Sequence, residues 1–486
     1  MKKFKKPIIL IVSFTFLLSF MVFFGCKNTQ QITTYDITCN YLDNKISGTE
    51  KVTFYNHTEL VFSQLKFNLF ANAFRKDATY SPVSLAHKSQ CYPNGVSYGE
   101  IKINSVTCNQ TALNYQISGV DQNILVVDLT EELFPNQEVS LTIEFTTTLA
   151  NVVHRTGVNS KTVNLANFYP ILCGIDKDGF YECVYYANGD PFFSEVANYN
   201  VQFTTDSNYV VAGSGNLVDK SEQGNNCVYN YQLLNARSFT LVLSKEFKCL
   251  NNTQTGVDIN YFYYDDLNPE KSMEYAVKSI GLFENLFGKY PFTTYTIVQT
   301  KFVQGGMEFS AFAMISDNLE QKAYGEVIVH ETAHQWWQAG VGNNEIEYGF
   351  LDEGLAEYSV VCFYENYPEY GYTRQTLIKS SETTYKTYCT ISDRLFKKVD
   401  TRMIRNFYDY KSEYDYVNLA YVKPCIMYDN LRTTIGDQKF FEALKEYYNQ
   451  NVGKIATPDH LVSAFVKSKS DVEGYFNSFF EGKVII

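Results

Sequence analysis

The residues best suited to chemistry lie close together in this chain. His330, Glu331 and His334 spell His-Glu-x-x-His inside VIVHETAHQWWQAG, and Glu353 follows in FLDEGLAEY, 19 positions after His334. On a helix His330 and His334 are one turn apart, so both imidazoles leave the same face and can share one ion. Glu331 is rotated off that face and can lean over the ion without ligating it. A catalytic zinc takes three protein ligands and keeps a fourth position for water. Glu353 is read as the third ligand. Glu357 is four residues further on and shares its helical face, so it can hold a ligating imidazole from behind. The alternative for Glu357 is a solvated surface carboxylate. Zinc there would bring the pKa of its water to ~7, and Glu331 would act as general base and then proton donor to the leaving amine.

Two further motifs flank this one. QGGMEFSAF contributes Gly305, Gly306, Met307 and Glu308; AYVKPCIMYDNLR contributes Tyr421, Lys423 and Pro424. A metzincin would need a glycine at Trp337 and a third histidine at Gly340, so that class is excluded, and thermolysin-type enzymes place their glutamate at the position of Gly354. The set resembles the gluzincin aminopeptidases related to aminopeptidase N and leukotriene hydrolase. Their signature is His-Glu-x-x-His, 18 residues and Glu, with Gly-x-Met-Glu-Asn upstream and Tyr-x-Lys-Gly downstream. Here Phe309 replaces the Asn of the first flanking motif and Pro424 the Gly of the second.

The resemblance implies one Zn2+ per chain on His330, His334 and Glu353. It implies that Glu308 binds the free α-ammonium of a peptide, with Gly305, Gly306 and Met307 in the same substrate-binding motif. It gives the Tyr421 hydroxyl the developing oxyanion; Tyr408, Tyr410, Tyr414, Tyr416 and Tyr428 are rivals in the same stretch. The expected activity is removal of N-terminal residues from peptides. A zinc endopeptidase on the same site and a non-catalytic binding protein on the same scaffold are the alternatives; the intact ligands and base speak against the second. NFYPILCGIDKDGF and YYANGDPFFSEVANYNVQF also resemble the β domain of bacterial members, so the likeness spans roughly residues 31–486. Longer relatives add a C-terminal helical domain that the 133 residues after Glu353 cannot form, so an open site admitting larger peptides is expected.

Positioning these groups falls to two kinds of element. From about Gln31 to Leu250 the hydrophobic period is two, as in EVSLTIEFTT, where Val139, Leu141, Ile143 and Phe145 alternate with polar residues. After about Asp258 the period lengthens. In NPEKSMEYAVKSIGLFENLFGKYP, Asn268 is the expected N-cap, Pro269 the first helical residue and Gly288 the stop, with Met273, Val277, Ile280, Phe283 and Phe287 on one face. YTIVQT and AFAMIS read as strands on either side of Glu308, and Thr457 caps a late helix. The expected architecture is a multi-domain chain. An N-terminal antiparallel β saddle-like domain (27–255) precedes an α+β thermolysin-like catalytic domain (256–486).

Composition limits the partners. The 486 residues carry 41 basic and 53 acidic side chains, net −12, which gains nothing from phosphate electrostatics; no nucleic acid is expected. Residues 1–26 pair four lysines with an apolar run from Pro7 to Phe24 ending at Gly25-Cys26. This reads as an export signal with a lipobox-like end, acylated at Cys26, or else as an uncleaved helical anchor. Either way the remainder is expected on the extracytoplasmic face of a bacterial cell membrane. The other ten cysteines are scattered, with no Cys-x-x-Cys, and their pairing and the oligomeric state are not set by the sequence.

Overall fold

The structure is a computed structural model describing residues 31–397, 399–467 and 471–484. The leader or anchor assigned to residues 1–26 lies outside the described residues. In β1 (Thr33–Leu42), Tyr35, Ile37, Cys39 and Tyr41 are buried while the residues between them are exposed. The same alternation recurs in β2 (Lys45–Tyr55), β4 (Glu138–Thr148) and β5 (Ala197–Asp206) and less regularly in β3 (Glu100–Cys108) and β7 (Asn226–Ala236), whereas β6 (Asn216–Gln223) has no buried residue. These form one large sheet in the order β6-β7-β5-β1-β2-β4-β3, with Thr111–Ala112 at the edge. Two four-stranded sheets cover its apolar face, and Leu65, Phe67, Leu125 and Val127 from one pack in a common core with Ile37, Val52, Ile143 and Phe145.

Neighbouring strands of the large sheet are antiparallel except β1 and β5, which run parallel from Thr33–Ala197 to Asn40–Thr204. Alternation tells which face a residue takes, not which way a strand runs. A parallel pair needs a long connection, and here most of the domain lies between the two strands.

The C-terminal half has its own sheet: β8 (Lys248–Asn252), β9 (Asp258–Tyr263), β10 (Thr294–Thr300), β11 (Gly306–Phe309) and β12 (Phe312–Ser316), ordered β8-β9-β10-β12-β11. Helix α1 (Pro269–Phe287) links the parallel strands β9 and β10. Gly288 ends it at φ 132°, a conformation that favours glycine. Asn268 holds the N-cap position without a capping bond from its side chain. The helices α2 (Gln321–Ala333), α3 (Phe350–Asn366), α4 (Arg374–Phe396) and α5 (Lys423–Ile435) follow. Three more, Asp437–Asn451, Pro458–Val466 and Val472–Phe480, complete the half, and Thr457 caps the second of these through a capping box with His460.

Arg237, just after β7, ties the two halves together. Its buried guanidinium donates to the carbonyls of Ser194 (3.1 Å), Gln338 (2.9 Å) and Lys454 (2.7 Å). None of the ten described cysteines forms a disulfide. Among the described residues, no helix is long and apolar enough to cross a membrane.

Candidate active site

Helix α2 is wedged between the sheet and α1. Gly325 lets the Tyr275 ring of α1 lie against its backbone, and Ile328, Val329 and Ala333 are fully buried. His334 closes the helix, its N–H bonded to the His330 carbonyl at 3.3 Å. The following Trp336 and Trp337 are buried as well; their indole N–H groups donate to the Gly288 carbonyl (2.8 Å) and to Ser359 Oγ (3.1 Å) of α3. Those bonds tie the end of α2 to the end of α1 and to α3.

Glu353, in the first turn of α3, points at the histidine pair. Its Oε2 lies 3.3 Å from His330 Nε2 and 3.2 Å from His334 Nε2, and the two nitrogens are 3.1 Å apart. One tetrahedral zinc with bonds of ~2.0–2.2 Å requires donor atoms roughly 3.3 Å apart, so the three atoms fit such an ion. The other ring nitrogens are already held. His334 Nδ1 donates to the Trp337 carbonyl at 3.0 Å, and His330 Nδ1 faces Glu357 Oε2 at 3.5 Å. Both Nε2 lone pairs are thereby aimed inward. Burial alone would raise the Glu353 carboxyl, yet the two imidazoles hold it down at about 2.

Glu331 lies beside this triad, buried, with Oε2 lacking a hydrogen-bond partner among the described residues. Burial pushes its carboxyl up to about 7 despite the nearby imidazoles, the range a proton-shuttling base needs at neutral pH. Gly306 makes room for it: a methyl group there would collide with the Glu331 carboxylate. Glu308, two residues along β11, is buried with Oε1 unpartnered, and one oxygen lies within 4.8 Å of both Glu331 and His334. Gly305 packs near Val327, and Met307 Sδ accepts from Arg155 Nη1 at 2.9 Å.

Tyr421 occupies a π-helical turn, Asn418–Val422, immediately before α5. Its hydroxyl donates to Glu353 Oε1 and its ring stacks on His330 at 5.9 Å between centroids. Pro424 packs against Gly354, where any Cβ would stand 2.5 Å from the proline ring, so α3 and α5 approach closely. Of the rival tyrosines, Tyr416 also lines the site, edge-on to Tyr421 at 5.7 Å. The cavity in front of the triad measures about 450 Å3, and Gly305, Gly306, Met307, His330, Glu331 and Tyr421 all line it.

Three charged residues absent from the sequence reading complete the surroundings. Arg155 and Asp190, both from the β domain, form a buried ion pair against this cavity. Glu345 is buried with one oxygen unpartnered, and oxygens of Asp190, Glu308 and Glu345 lie within 4.8 Å of one another. Asp190 was within reach, as the only acid in the stretch YYANGDPFF that resembles a family β domain. Glu345 sits in EIEYG, which reads as a solvated charged turn and carries no local signal of burial.

Residues 271–479 match the family described as Peptidase family M1 domain. A search of curated protein sequences finds no significant relative. Among solved structures, the M1 zinc metallopeptidase from Deinococcus radiodurans superposes with a TM-score of 0.68 at 15% identity, covering 94% of this chain and 96% of that one. A mutant of the Deinococcus radiodurans M1 zinc metallopeptidase bound to a Tyr-Ser-Ala substrate gives 0.66 at 16%, and a two-domain M1 zinc metallopeptidase mutant bound to L-arginine gives 0.66 at 15%, both with the same coverage. At that identity the likeness establishes the fold: a β-rich domain followed by a domain of sheet and helices.

Proposed function

Since residues 271–479 match the peptidase family M1 domain, we propose that this protein is a zinc aminopeptidase that removes single residues from peptides with a free N-terminus. The observation carrying this is the place of Glu308: a buried, unpartnered carboxylate within 4.8 Å of the general base and of one metal ligand. An α-ammonium bound there puts the first peptide bond, and no later one, at the histidine pair. A blocked N-terminus would leave the carboxylate desolvated and unpaired, a cost that works as selection.

Zinc held by His330, His334 and Glu353 would supply Lewis acidity and an activated water. Glu331 takes the proton from the attacking water and returns it to the leaving amine; its raised pKa suits both steps. The Tyr421 hydroxyl is placed to move from Glu353 to the oxyanion that forms on the scissile carbonyl. Glu357 and the Trp337 carbonyl keep the imidazoles oriented. We extend the proposal to location: the enzyme works outside the cytoplasmic membrane, tethered through Cys26 or the apolar run before it, and an unmodified Cys26 in the mass spectrum of the cell-derived protein removes the lipid tether.

The decisive assay compares one peptide with free and N-acetylated ends, with and without chelator. Cleavage of the free form alone, abolished by chelator and by Glu331→Gln at unchanged zinc content, is expected. Equal cleavage of both forms refutes exopeptidase action.

A further inference from the structure

Among the described residues, strand β11 is the edge of the second sheet, paired only with β12. Its register is Gly306–Ile315, Met307–Met314, Glu308–Ala313 and Phe309–Phe312, and the N–H of Ser316 bonds to the Gly305 carbonyl at 2.9 Å. In an antiparallel ladder this makes Met307 the residue that exchanges both bonds with β12. The N–H and C=O groups of Gly306 and Glu308 therefore point away from β12, and Gly306 lines the cavity. Such an edge takes an extended peptide as an added strand.

The site sets the direction of that peptide. Its ammonium belongs at Glu308 and its first peptide bond beside Gly306 and Glu331, so the chain runs antiparallel to β11, back along Gly305, Gln304 and Val303. Residues 303–305 bend away from the strand, and a peptide that follows them from Met307 has about its fifth residue near Val303. Val303 lines the catalytic cavity and also a second, larger one of about 1410 Å3. That cavity is walled by the segments 90–98 and 151–160 of the β domain and 301–319 of the catalytic half. Lys301 is the one charged residue among its described lining residues, and its ammonium is paired with Asp317 at 3.2 Å. The polarity matches a peptide at its amino end, where Glu308, Asp190 and Glu345 gather, and the downstream cavity, its one lysine neutralised by Asp317, accepts side chains without a charge requirement.

We propose that this second cavity is the binding groove for the downstream part of the substrate, from about its fifth residue, and that the enzyme's substrates are oligopeptides. This rests on the aminopeptidase reading above. Peptides of two to eight residues sharing one N-terminal residue test it. Catalytic efficiency should be flat to four residues and rise about tenfold by eight. Ser160→Trp and Asn318→Trp fill the groove from its two sides, at exposed positions whose side chains form no hydrogen bond. Each should remove the gain with length and leave hydrolysis of aminoacyl amides unchanged. No gain with length in the wild type, or variants that slow amide and octapeptide alike, overturns the groove. Binding to Glu331→Gln separates this from the activity itself. If amides are not hydrolysed, the aminopeptidase reading fails, and the groove then stands only if the octapeptide binds that variant about tenfold more tightly than the tetrapeptide.

Discussion

Nε2 of His330 and Nε2 of His334 stand 3.1 Å apart on successive turns of α2, both ring planes fixed from behind. Two imidazole lone pairs converging at that distance, with the Glu353 carboxylate against both, are stable chiefly when a cation sits among them. Zinc is therefore expected to raise the melting temperature of the chelator-treated protein, by an amount that grows with the logarithm of zinc concentration. Glu353→Gln or His334→Ala should flatten that dependence. A melting temperature indifferent to zinc in the unaltered protein would remove the metal site. Because Trp337 carries the carbonyl that orients His334, chelation should also shift tryptophan emission, and the two tryptophans of the chain are both adjacent to the site.

Gly306 and Glu331 meet across the gap between β11 and α2, and no side chain fits between them. Gly306→Ala must push the carboxylate aside while leaving all three metal ligands in place. Misplacing a general base by about an ångström costs roughly 10²-fold, so kcat/KM should fall by about that factor at normal zinc content. Full activity in this variant would show that Glu331 is not held where the structure has it.

Local spacing explains why so much of the site was legible. His330 with His334, and Pro269 with Gly288, are marks within one helix, where a 3.6-residue period translates directly into a shared face or an end. The alternation of β1 likewise reports its buried face. What stayed hidden depends on contacts between distant segments. The parallel pairing of β1 with β5 joins residues more than 150 positions apart, and Arg155 reaches Met307 across 152. The π-turn that presents Tyr421 has no compositional mark, because its bonds are supplied by packing among α3, α4 and α5.

The ammonium role proposed for Glu308 predicts that its removal acts on substrates and not on folding. A charge-assisted hydrogen bond lost from a buried site costs about 1.5–3 kcal/mol. Glu308→Gln should therefore lower kcat/KM for free-amine peptides by roughly 10–100-fold. An N-acetylated peptide, a poor substrate at the outset, should lose nothing and close part of the gap. A uniform loss on both would place Glu308 in the metal site or the core and not in amine capture.

Lys423 links the Tyr421 turn to two distant segments, donating from Nζ to the carbonyls of Thr401 (2.5 Å) and Phe479 (2.9 Å). Burial pulls its pKa down to about 7, against about 10.4 for a free lysine. The folded chain thus binds fewer protons at this group than the unfolded chain between those two values, so its contribution to stability rises with pH across that window. The slope is at most about 1.4 kcal/mol per pH unit and disappears outside it. Urea unfolding at pH 7, 8 and 9 should show Lys423→Met, which leaves two carbonyls without a donor, losing this rise and so falling further behind the parent as pH increases. Parallel stability curves for the two proteins would mean that Lys423 stays charged in place. In that case the Tyr421 turn is pinned by an ammonium, and its anchoring would be insensitive to pH through the neutral range.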